Sequence, residues 1–93
     1  FVVLPISEKY HDYAKNVFLE LQEYDLSGFI DRRDEKIGKK IRDAEIKKIP
    51  FMIIVGENES LGNTLSVRAH GVGDIGSFSL NKFLEMFKKK IGI

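Results

Sequence analysis

The sequence has no cysteine, which removes disulfide frameworks, thiolate metal sites, thiol nucleophiles and iron–sulfur ligation together. A reducing compartment fits that absence, and a cytoplasmic location is expected. Its longest uninterrupted apolar run, Phe51 to Val55, has five residues, against the roughly 20 that a membrane-spanning helix needs. Only two prolines occur, and histidine is limited to His11 and His70, neither with an acid–histidine–hydroxyl or two-histidine spacing around it. No GxxxxGK[ST] phosphate loop is present. An initiator methionine and a signal peptide are also missing: Phe1 opens directly into a strand-like run, as expected of a piece cut from something longer. What remains is ordinary globular material. Hydrophobic residues make up 43% of 93 residues and charged residues 31%. That mixture excludes a disordered tail, a collagenous repeat and a low-complexity linker, and the length predicts one domain over residues 1–93.

Net charge is +1, but it is unevenly distributed. Phe1 to Asp31 carries two basic and six acidic residues; the seventeen residues from Arg32 to Lys48 carry eight basic and four acidic ones. A concentrated basic segment in a balanced chain can attract a phosphate backbone locally, and it can equally be a solvated helix face.

Hydrophobic spacing predicts alternating strands and helices. Phe1 to Ile6 (FVVLPI) reads as a strand buried on both faces. Ser7 then stands as an N-cap before a helix marked by Tyr10, Tyr13, Ala14, Val17, Phe18 and Leu21, which should end before Ser27 and leave through a left-handed Gly28. Phe29 to Arg32 reads as a second strand. Arg33, Asp34 and Glu35 lead into a second helix, with Ile37, Ile41 and Ala44 on one face and acids at its positive start. Phe51 to Val55 is a third strand and Gly56 to Asn63 (GENESLGN) a turn. Thr64 to Ala69 alternates as an antiparallel partner of that third strand, Gly71 to Gly76 is loop or short edge strand, and Ser79 caps a last helix striped by Leu80, Phe83, Leu84, Phe87 and Ile91. The pattern predicts a three-layer α/β/α domain with a mixed, mostly parallel sheet. In such sheets ligands gather outside the carboxyl ends of the parallel strands, here near Pro5, Arg32 and Gly56.

Several motifs carry chemistry only in the right context. Gly71, Gly73 and Gly76 (GVGDIG) match a dinucleotide fingerprint as a string, but they follow no first βαβ strand and too little chain remains for its acidic partner. Glu57 and Glu59 would point the same way in an extended turn, which suggests acid–base chemistry but comes with no nucleophile or metal partner; they read as surface turn carboxylates or as acceptors for base amino and imino groups. Arg68, on the strand beside them, offers a planar fork that suits base edges and phosphates. His70 follows it at a strand end. Phe29 and Phe51 flank the basic helix, as core residues or as a stacking platform for bases.

Asp31 to Arg42 (DRRDEKIGKKIR), Ile49 to Glu59 (IPFMIIVGENE) and Leu65 to Arg68 (LSVR), in that order and spacing, resemble the C-terminal anticodon-binding domain of threonyl-tRNA synthetases, over essentially the whole chain. Class II synthetases for proline, histidine and glycine share this domain. The resemblance implies a five-stranded mixed sheet with three main helices, and recognition of the anticodon stem-loop of threonine tRNA. It implies that Asp34, Glu59 and Arg68 meet the second and third anticodon bases, guanine and uracil, with Lys36, Lys40 and Arg42 nearby. The sequence departs from the family at Asp34, where asparagine is common, so that Asp34 reads either as a base contact or as a cap of the second helix, and at Asn58, where lysine is common. The resemblance places ATP, magnesium and zinc in an upstream catalytic domain of a parent ligase, itself a homodimer, and no cofactor here. A paralogous prolyl or histidyl domain and a small α/β protein-interaction module are the alternatives.

Overall fold

The computed structural model describes residues 1–23 and 27–91, excepting the side chains of 87, 89, 90 and 91. Its elements follow in the order β1 (Val2–Pro5), α1 (His11–Gln22), β2 (Phe29–Ile30), α2 (Ile37–Ile46), β3 (Phe51–Val55), α3 (Glu57–Gly62), β4 (Thr64–Ala69), β5 (Gly73–Ser79) and α4 (Leu80–Ile91). The strands form one sheet in the order β2-β1-β3-β4-β5. β1 runs parallel to β2 and β3, while β4 is antiparallel to both β3 and β5. Four strands therefore share a direction and β4 opposes them, the mixed sheet that the sequence pattern predicts.

Side-chain alternation divides the core into two layers. Phe51, Ile53 and Val55 of β3 pack with Ala14, Val17 and Leu21 of α1 and Phe83 and Leu84 of α4. Met52 and Ile54 face the other way, with Ile37, Ile41 and Ala44 of α2. β1 serves both layers, Val3 in the first and Val2 and Leu4 in the second. A strand covered on both faces needs no polar alternation, which is why FVVLPI reads as a continuous apolar run. Each fully buried Leu, Ile or Phe in these layers contributes about 1.5–3 kcal/mol.

Several local expectations are corrected. Ser7 makes no side-chain cap; its carbonyl accepts the Tyr10 N–H at 3.1 Å in a 3-10 turn that precedes α1. Gly28 does not take a left-handed conformation. It is required by crowding, since a Cβ there would stand 2.5 Å from the Phe1 ring. Asp34 and Glu35 lie before α2 rather than in its first turn. The GENESLGN segment is a short helix, closed by Asn63 in the left-handed region (φ 56, ψ 42). The glycines of GVGDIG all have positive φ; they shape the turn and the bulge of β5, a seven-residue edge strand. Ser79 caps α4 as expected, its Oγ accepting the Lys82 N–H at 3.2 Å. The predicted stripe positions Phe87 and Ile91 lie outside the described side chains.

Candidate nucleic-acid interface

β4 sends Leu65, Val67 and Ala69 into the layer under α1 and α4, so Thr64, Ser66 and Arg68 point to the opposite face. Register fixes their neighbours, because directly paired residues share a face. Arg68 stands between Met52 and Asp74, and Ser66 between Ile54 and Ser77. α2 lies on this same face, but the buried residues beneath it are Val2, Leu4 and Met52, from β1 and β3. The β4–β5 strip beside it is left without a helical roof among the described residues, and there the sheet presents Ser66, Arg68, Asp74 and Ser77.

α3 closes one end of this strip. Glu59, at the third position of α3, accepts the Gly56 N–H through Oε1 at 2.7 Å and the Ser66 hydroxyl through Oε2 at 3.1 Å. The first bond satisfies a helix-start donor, the reciprocal half of a capping box. The second ties α3 to β4, two residues from Arg68. Glu59 is thus bonded to the strand residue two before Arg68, on the face of the sheet that Arg68 shares. Glu57 does not join them, since residues two apart on a helix do not face each other. The carboxylate of Glu59 retains acceptor positions beyond its two bonds. Arg68 has a buried Nε with no hydrogen-bond partner among the described residues.

The other expected contacts sit on α2 and the loop before it. Asp34, Lys36 and Arg42 are exposed. Asp34 does not cap α2, whose start is Lys36 with no side-chain cap. Lys40 is corrected: it is only 2% exposed. Its Nζ donates to the carbonyls of Pro5 at 3.0 Å and Asp31 at 3.1 Å, so it offers no surface charge to a phosphate. The spacing contained that signal, because position 40 falls on the same stripe as Ile37, Ile41 and Ala44.

Sequence reasoning also missed a charged brace beside the loop. Arg33 donates to both oxygens of Asp31 at 2.9 and 2.8 Å and pairs with Asp43 of α2 at 3.0 Å; Lys39 reaches Asp43 at 3.5 Å. Hydrogen bonds from Arg33 are the main reason that the Asp31 and Asp43 carboxyls lie below the usual carboxylate range and that Arg33 is raised. His70 sits at the far end of β4 from α3, 3.6 Å from Glu45. Phe51 is buried edge-on against Phe83 and offers no stacking surface. Phe29 is 44% exposed with Lys47 Nζ 5.8 Å from its ring centre; it borders a cavity of about 450 Å³ between β2 and α2, away from the β4–β5 strip. Among the described residues, no group of three or more His, Cys, Asp or Glu could hold a metal ion, and no helix is long and apolar enough to cross a membrane.

Layering and strand order define a small α/β/α domain with a 2-1-3-4-5 mixed sheet, one strip of which is unroofed. The chain belongs to the anticodon-binding domain family, whose model, described as "Anticodon binding domain", matches residues 1–90. It is 51% identical over 89 residues to the threonine–tRNA ligase of Cytophaga hutchinsonii, an alignment covering 96% of this chain and 14% of that protein. The threonine–tRNA ligase of Aquifex aeolicus is 46% identical over 90 residues, covering 97% of this chain and 14% of that one. Among solved structures, the RNA binding domain of threonyl-tRNA synthetase from Cryptosporidium parvum Iowa II superposes with a TM-score of 0.89 at 29% identity, covering 95% of this chain and 22% of that one. Histidyl-tRNA synthetase from Nostoc sp. PCC 7120 shares the fold, with a TM-score of 0.86 at 18% identity over 97% of this chain and 22% of that one. The chain spans about 14% of the length of the curated relatives it matches.

Proposed function

We propose that this domain recognises the anticodon stem-loop of threonine tRNA as the anticodon-binding part of a threonine–tRNA ligase, and that it performs no chemistry itself. Activation of threonine by ATP and its transfer to tRNA belong to a catalytic domain of the same polypeptide, with any magnesium and zinc, in a homodimeric cytoplasmic parent. The observation that carries this reading is the Glu59–Ser66 bond on the same face of the β4–β5 strip as Arg68. Anticodon bases are unstacked in their loop and readable on their edges, the usual basis of sequence-specific RNA recognition. A carboxylate accepts the N–H donors of guanine's Watson–Crick edge, while a guanidinium matches carbonyl oxygens and ring nitrogens. Asp34, Lys36 and Arg42 flank the bases from the α2 side, the two cations against phosphate, where they position the loop without reading it. Guanine and uracil, the second and third anticodon bases, are the bases met.

Titration with stem-loops that differ only in the anticodon tests this. The threonine anticodon should bind tighter than proline, histidine or scrambled anticodons on the same stem. Equal binding of all of them would reduce the domain to a general polyanion binder, and preference for the proline or histidine loop would assign it to a paralogue.

A further inference from the structure

We infer that Lys40 is a positioning residue, which with Arg33 holds the 31–36 loop and α2 as one rigid rim of the RNA surface. The inference rests on the reading just given, and concerns how the proposed contacts of that rim are placed.

An apolar residue at position 40 would complete the stripe of Ile37, Ile41 and Ala44 without bringing a polar head group into the interior. What it could not do is satisfy the carbonyls of Pro5 and Asp31. Those two carbonyls stand where β1 and β2 run out, at the point where the ladder stops supplying partners and a buried acceptor must find another. Lys40 gathers both from a third element, so α2 is tied to two strand ends through one buried atom. On the outer side Arg33 grips Asp31 at the start of the loop and Asp43 one turn along α2 from Lys39. Both clamps therefore tie the start of the loop to α2, which carries its other end, one from inside and one from outside. Between them Arg32, Asp34, Glu35 and Lys36 remain exposed. Short-range recognition depends on such placement, since a shift of about 1 Å can cost as much as the loss of a contact.

The test combines native-state amide exchange with binding of the threonine anticodon stem-loop and a scrambled loop at several salt concentrations, on the wild type, Lys40→Met and Arg33→Ala. Lys40→Met keeps the apolar stem and removes the donor. It should speed exchange at the hydrogen-bonded amides of Asp31, Arg33 and Lys39, which the clamps hold, while β3 amides stay protected. Affinity for the cognate loop should fall roughly tenfold, within the range expected for one specific contact. Binding of the scrambled loop and the salt dependence should stay as in the wild type. Arg33→Ala, which alters only the outer clamp, should reproduce the pattern more weakly and serves where Lys40→Met does not fold. Loss on both loops alike, with the salt slope reduced by about 0.7, would make Lys40 a phosphate contact and overturn the inference. Unchanged cognate binding despite a loosened loop would also overturn it. A wild type that does not distinguish the loops would instead remove the underlying reading, while the exchange data still report separately on the clamps.

Discussion

Arg68 owes its direction to strand alternation, on a strip of β4–β5 that no helix covers among the described residues. Its buried Nε has no hydrogen-bond partner among the described residues and is closed to solvent. A base edge or phosphate oxygen would be met instead by the terminal N–H groups of the planar fork. Arg68→Ala should therefore lose about 1–3 kcal/mol on the threonine anticodon loop. Arg68→Lys should recover little of it, because an ammonium cannot present two parallel donors. Calorimetric titration of both variants decides this: full recovery by lysine would mean that only charge matters there. Asp31 gives a second residue-scale outcome. Its folded-state pKa lies below the ordinary value of 3.8, chiefly through Arg33. A depressed carboxyl stabilises the fold above that ordinary value, and the contribution is lost as pH falls through the lower folded value. Arg33→Ala should move the acid-unfolding midpoint to higher pH, with the difference from wild type shrinking below about pH 4. Coincident acid limbs by circular dichroism would contradict the brace.

Elements were legible in proportion to their length and to how plainly their surroundings set the period. β3 and β4 have the ranges that alternation and burial give them, and α2 has the face marked by Ile37, Ile41 and Ala44. α3 was hidden because six residues hold too few turns to show a period, and because Gly56, Gly62 and Asn63 look like turn residues. Their actual roles are to start and to end a helix. Gly71 to Gly76 reads as loop or short edge strand for a related reason: its glycines mark a turn and a bulge, while β5 runs on to Ser79. Glu59 and Arg68 could be named from the words that surround them, but the Glu59–Ser66 bond on the face that Arg68 shares needed the register, and Lys40 needed the recognition that a basic residue can occupy a core stripe. Gly38 is a simple test of α2 as an element. A Cβ there would meet nothing within 4 Å, so Gly38→Ala should stabilise the domain by about 0.4–1 kcal/mol in chemical denaturation. A loss of stability would show that the helix start is more crowded than described.

At the scale of the molecule, the basic segment is less available than its composition suggests. Of its eight cations, Arg33 and Lys39 pair with acids, Lys40 is buried, and Lys47 lies by Phe29. Arg32, Lys36, Arg42 and Lys48 are exposed and carry no ion pair among the described residues. The two phosphate contacts of Lys36 and Arg42 imply a salt slope of about 1.4 on the single-strand scale, all four exposed cations would set it at about 3, and all eight at roughly 6. A slope near the largest figure, measured from 50 to 200 mM salt, would mean that the internal pairs open on binding. The most direct measurement of the central claim is a map of backbone amide shifts on adding the threonine anticodon stem-loop. Changes should concentrate in the 32–36 loop, α3, and Ser66 to Arg68 with the paired part of β5. Changes centred on α1 and α4, with that strip silent, would place RNA on the opposite face of the sheet and contradict the account.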